Sequence, residues 1–350
     1  MQLRGILLRG GSSSVKLAGK FRNVITLCLL VFMLSAGAFP AGQMTSTILI
    51  GNSRIDVVVE EGKLETSKED LLKWVQWAAE SVSTYYGHFP VLHLSLRIVP
   101  FDGKGVRGGR TFGKDGGFIS IHVGSHSSFA DLSTDWMLTH EMVHLSFPSV
   151  AETHHWIEEG IATYVEPIAR VRAKHMDATE MWREVVRDLH QGLPREGDKG
   201  LDNTHTWGRT YWGGALFCFL ADIELHRQTS NRKGMEDALR GILNAGGDIT
   251  KEWPLEKALD VGDRATGVAV LRPLYDKMKD QPYDVDLPAL WAQLGIVQEG
   301  EKVRFVNDAP LAKTRDAITY GTPSSSLGAD AAQPAFSAFV GRTKGSSAGR

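Results

Sequence analysis

Cysteine is nearly missing from this chain: there are two in 350 residues. Cys28 falls in an N-terminal segment read below as removed on export, which leaves Cys218 without a partner and excludes an intramolecular disulfide. Stability must then come from the core or from a metal. Cys218 itself stands in the apolar run 215–221 and reads as a small core hydrophobe. An excess of charge of one sign is also missing, because 39 Lys+Arg balance 41 Asp+Glu to give a formal net charge of -2. Without a basic footprint, nucleic acid is excluded as a partner class. Beyond the N-terminal segment no apolar run approaches the ~20 residues of a spanning helix, so no stable membrane span is expected after its removal. The glycines of 103–117 are followed by no Gly-Lys-Ser/Thr and sit in no βαβ pattern, which excludes a P-loop and a dinucleotide fingerprint. That stretch reads as a mobile hairpin beside a cleft.

What is present describes a globular protein with a leader. Hydrophobic residues make up 42% and charged residues 23% of the chain, enough apolar surface for a sizeable core. Residues 1–41 carry Arg4, Arg9, Lys16, Lys20 and Arg22 and no acid, so the -2 is the sum of +5 there and -7 over the rest. An apolar run at 24–34 follows, then small residues that include Ala38 and Ala41. A basic head, a short apolar middle and a small-residue cleavage site form the pattern of a secretory signal peptide over 1–41, and the mature protein is expected to be exported, periplasmic or secreted. An uncleaved N-terminal anchor is the alternative, although an apolar stretch this short falls below the ~20 residues of a spanning helix.

The remainder divides into unlike halves. Alternating and β-branched stretches at 46–50, 55–59, 91–99 and 118–123 predict strands, and the apolar spacing of Leu71, Leu72, Trp74, Val75, Ala78, Ala79 and Val82 predicts a helix packed on them. From about 131 the pattern turns helical, at 134–146, 158–172, 177–190, 208–227, 233–244 and 266–279. The expectation is an α+β protein: a β-rich lobe with one helix over 42–130, an all-helical lobe over 131–320, and a flexible Ser/Gly/Ala tail over 321–350.

The chemistry concentrates in 131–166. His140 and His144 are four apart, so on a helix both imidazoles face one side and can chelate one ion. Glu141, beside the first of them, is placed to take a proton from water. Ser133 or Thr134 could cap the helix, and Pro148 stops it. A catalytic zinc needs a third protein ligand. Glu159 suits that part, since Gly160 follows it and a helical pattern runs on through Ile161 and Tyr164. His154 and His155 are rival donors in the connecting loop. Glu158 points ~100° away from Glu159 on a helix. Glu166, seven residues past Glu159, returns to the same face and could orient a ligand imidazole. Farther on, the phenol of Tyr211 is neutral at pH 7 and could hydrogen-bond a developing negative charge.

His140-Glu-x-x-His144 followed by Trp156-x-x-Glu159-Gly160-x-Ala162-x-Tyr164-x-Glu166 resembles the gluzincin metallopeptidases, especially the alanyl and glycyl aminopeptidase families. The segment opening with Thr210, Tyr211 and Gly214 is similar to their Tyr-x-Lys-Gly helix start. The resemblance covers roughly 110–320 and implies a thermolysin-like catalytic unit with one Zn2+ on His140, His144 and Glu159, Glu141 as general base, and Tyr211 on the oxyanion. It implies a zinc metallopeptidase acting on peptides or proteins through zinc-activated water. Two departures stand out. The interval from His144 to Glu159 is shorter than usual, and the Gly-x-Met-Glu-Asn strand that holds a free α-amino group is replaced by the Glu-less stretch 108–117. An aminopeptidase and a non-catalytic zinc-stabilised binding domain therefore remain the alternatives.

Overall fold

The computed structural model describes residues 44–113 and 116–321. The expected leader, and the expected tail apart from Gly321, lie outside the described residues.

A five-stranded sheet comes first. It is built from β1 (Met44–Ile50), β2 (Ser53–Val59), β3 (His93–Phe101), β4 (Val106–Phe112) and β5 (Gly117–Gly124) in the order β1-β2-β3-β5-β4. β2, β3 and β5 run parallel, and the outer strands β1 and β4 pair antiparallel to their neighbours. The parallel connection between β2 and β3 needs a crossover. Helix α1 (Lys68–Tyr86) supplies it. Ser67 caps its start by accepting from the Asp70 amide, and Gly87 ends it at φ 86. Its buried residues include Leu71, Trp74, Val75, Ala78, Ala79 and Val82, all but one of the expected set. They meet Ile55, Val57, Leu94, Leu96, Ile98, Ile119 and Ile121 of the sheet in one core. Each such large side chain removed from water contributes roughly 1.5–3 kcal/mol.

The stretch 103–117 holds strand β4, which pairs antiparallel with β5 as a hairpin, and β4 residues line the cavity described below. Glycine has no side chain to reveal a pattern of alternation, so the edge strand was hidden in the sequence. A bulge between Arg107 and Gly109, with Gly108 at φ 53, breaks its register against β5.

The helical lobe follows: α2 (Phe129–Ser133), α3 (Met137–His144), α4 (His155–Arg172), α5 (Ala178–Asp188), α6 (Gly214–Thr229), α7 (Met235–Asn244), α8 (Leu255–Thr266), α9 (Leu271–Met278), α10 (Leu287–Leu294) and α11 (Ala312–Tyr320). It also holds a small hairpin of β6 (Ile296–Glu299) and β7 (Lys302–Phe305), too short to show as periodicity. The expected helix over 134–146 is α3 alone, shortened at both ends to Met137–His144, and the five-residue α2 lies just ahead of that range. The cap of α3 is Asp135 rather than Ser133 or Thr134, since its carboxylate accepts from the amides of Met137 and Leu138. Helix α4 is the axis of the lobe. Fourteen of its 18 residues are buried, and it packs against α1, α3 and α6. Cys218, on α6, is free and buried. Among the described residues no helix is long and apolar enough to cross a membrane.

Candidate metal centre and active site

Two helices and the sheet edge meet at one cavity of about 500 Å3. Its lining includes Gly109, Thr111, His140, Glu141, His144, Glu159 and Tyr211. Helix α3 presents His140 and His144 one turn apart, with ring centroids 4.9 Å from each other. Helix α4 brings Glu159 opposite. Its Oε2 lies 3.1 Å from Nε2 of His140 and 3.6 Å from Nε2 of His144.

One ligand atom from each of the three falls within 4.8 Å of the others, so the trio could hold a metal ion. The donor set suits that role. Two imidazole nitrogens and one carboxylate oxygen converge, with the cavity on the open side. Burial lowers the pKa of His140, favouring the neutral ring that a ligand must be. Burial works against ionising Glu159, yet its contacts with the imidazoles of His140, His144 and His155 prevail and hold the carboxyl far below the usual range.

His155 takes a part the sequence did not reveal. It stands beyond the metal side of Glu159, with Nε2 3.3 Å from Glu159 Oε1 and Nδ1 3.1 Å from Glu158 Oε2. Those two carboxylates raise its pKa to about 10, so it is a cation at neutral pH. It occupies one oxygen of Glu159 and leaves the other for the ion. His154, the second rival donor, turns away and pairs with Asp202, as does the indole of Trp156. Glu158 accepts from the Val150 amide.

Glu166 is a correction. Its carboxylate pairs with Arg170 at 3.0 Å, and no hydrogen bond joins it to either imidazole. It shares the face of Glu159 but stands two turns along, about 10 Å farther down the axis. Arg170 in turn donates to the Thr134 carbonyl, so the pair ties α4 to the residues just before α3. Nδ1 of His140 has no hydrogen-bond partner among the described residues.

Two close approaches fix the remaining parts. At Gly109 an added Cβ would collide with the Glu141 side chain, so β4 lies directly against the acid. Thr111, two residues on, has its hydroxyl 2.6 Å from Glu141 Oε2 and 2.9 Å from the Glu141 carbonyl. At Gly160 and Gly214, α4 and α6 cross backbone to backbone, and a Cβ on either would strike the other chain segment. Gly160 follows Glu159, and Gly214 lies three residues past Tyr211, so the crossing holds Tyr211 beside the metal ligands. Tyr211 sits in a π-helical turn, Arg209–Gly213, of the kind that recurs at functional sites. Its ring stacks over His140 at 6.2 Å. Burial, then the charges of Glu159 and Glu141, push its phenol up to about 12, which keeps the hydroxyl a donor. Ile249, from the loop before α8, completes one wall, and nothing in its own segment signals that.

The sheet, the zincin-type helix pair and the tyrosine on the third helix define a gluzincin aminopeptidase-like fold. Comparison with known proteins agrees. The chain is similar to an aminopeptidase N family protein from Idiomarina loihiensis, at TM-score 0.56 and 12% identity, over 73% of this chain and 49% of that one. An M1 zinc metallopeptidase from Deinococcus radiodurans matches at TM-score 0.47 and 13% identity, over 69% and 52% of the two chains. Yeast LTA4 hydrolase matches at 0.46 and 15%, over 72% and 43%. The chain thus spans about half the length of these structures. No protein-family model matches the sequence, and no curated protein matches it.

Proposed function

We infer that this protein is an exported zinc metallopeptidase, with His140, His144 and Glu159 holding one Zn2+. The observation that carries the reading is the convergence of those three ligand atoms beside Glu141 and Tyr211 in one open cavity. Export rests on the basic, apolar and small-residue succession of 1–41. When bound, zinc polarises the scissile carbonyl and makes water acidic enough to yield a proton near neutral pH.

The chain's own residues do the rest. Glu141 accepts the proton of the attacking water and returns it to the leaving amine. The Thr111 hydroxyl occupies one oxygen of Glu141 and leaves the other as the acceptor. Tyr211 donates its hydroxyl to the oxyanion as charge develops there. Strand β4 ends the sheet, so its outward amides and carbonyls can pair with a substrate in extended form. Tyr211→Phe removes a single donor and is expected to lower kcat by about 10²-fold with little change in KM, read from initial rates.

The electrostatics of the cleft favour an endopeptidase over an aminopeptidase. The acids in its lining are Glu141, Glu158 and Glu159, and each already has a partner: Thr111, the Val150 amide with His155, and the three imidazoles. Among the described residues the cavity thus offers no spare carboxylate to an α-ammonium group. Peptides with acetylated N-termini should be hydrolysed as fast as free ones, within about threefold, in a zinc-dependent manner. Cleavage confined to the free-ended set would instead establish an aminopeptidase, and no chelator-sensitive cleavage of either set would leave only a zinc-stabilised binding domain.

A further inference from the structure

Four aromatic rings stand in a row through the site. Trp136 meets His140 edge-on with centroids 5.3 Å apart, His140 stacks with Tyr211 at 6.2 Å, and Tyr211 stacks with Trp207 at 5.6 Å. The inner two belong to the centre already described. The outer two are indoles left open to water, Trp136 at 47% exposure and Trp207 at 61%. Each precedes its inner neighbour by four residues, one helical turn, so the helix that aims the inner ring also aims the indole. Phe112, at the end of β4, lines the same cavity and is 47% exposed. Of the six large hydrophobic residues exposed among the described residues, Phe112 and Trp136 thus line this cavity, and a third, Trp207, stacks on Tyr211 of its wall.

Large apolar groups left in water at the mouth of a cavity mark a binding surface. Indoles pinned by ring contacts lose little freedom when they grip a ligand. We propose that Trp136 and Trp207 are specificity-determining residues, which grip large apolar or aromatic side chains on the two sides of the scissile bond. A peptide lying extended beside β4 turns alternate side chains to one face, so two residues near the reacting bond can meet the ring row. The proposal deepens the peptidase reading and rests on it for the kind of ligand.

Binding and turnover separate the two. The full zinc-loaded Glu141→Gln chain is titrated with end-blocked hexapeptides that differ only in having Phe-Phe or Ala-Ala at the central pair, followed by tryptophan fluorescence and calorimetry. Phe-Phe should bind about tenfold more tightly than Ala-Ala. That preference should fall below about threefold when Trp136→Ala or Trp207→Ala is added, and return with Trp136→Phe or Trp207→Phe, the zinc content staying at one per chain. No preference in the parent, or the same preference in both alanine variants, overturns the proposal. Turnover of the same peptides by the unsubstituted enzyme tests the peptidase reading apart from it. Preferential binding without cleavage would sink the enzyme and keep the grip, whereas cleavage indifferent to side-chain size would do the reverse.

Discussion

The Glu141→Gln enzyme is expected to keep one zinc per chain and to lose about 10³-fold in kcat, the middle of the range for removing a general acid–base group. Glutamine matches the shape of glutamate, and its amide oxygen can still accept from the Thr111 hydroxyl that now holds Glu141. The packing of Gly109 against that side chain is likewise undisturbed. What disappears is the basic oxygen that takes the proton, so KM should change little while kcat collapses. Activity within tenfold of the parent would mean that some other group accepts the proton.

The His144→Ala chain should fold and fail to hold zinc. His144 lies at the end of α3, where Leu138, Met142 and Val143, not the imidazole, anchor the helix in the core. Removing one of three protein ligands should weaken zinc binding by about 10³-fold, a modest share of the ~10–16 kcal/mol that four-ligand sites gain. Metal analysis after dialysis should give close to zero zinc, hydrolysis should be lost with it, and the far-ultraviolet dichroism should match the parent. A variant that still carried one zinc per chain would remove His144 from the ligand set.

The parts of this site that the sequence displayed are those set by local geometry. A helix of 3.6 residues per turn puts His140 and His144 on one face, and their spacing alone says so. Glu159 was recognisable by the helical run that follows it, and the structure brings it to the two imidazoles. Glu166 failed on the same reasoning, because a shared face says nothing of distance along the axis, and Arg170 was one turn away to claim it. Contacts between remote segments left no local trace. Thr111 meets Glu141 across 30 residues of chain, from a strand whose glycines hid its alternation. His155 was visible only as a competing donor, since nothing in the sequence tells a ligand from the group that holds the ligand's other oxygen. In the fold, the core strands and the long helix α1 were legible through strong periodicity. The β6–β7 hairpin, the five-residue α2 and the true ends of α3 were not, because short elements carry too few apolar positions to define a period.

One zinc on His140, His144 and Glu159 is proposed to make this chain a peptidase. The decisive experiment strips the full chain of metal and titrates Zn2+ back while following hydrolysis of an end-blocked Phe-Phe hexapeptide. The rate should start at zero, rise linearly to one equivalent and then hold level. A rate that ignores zinc, or that stays at zero with one equivalent bound, contradicts it.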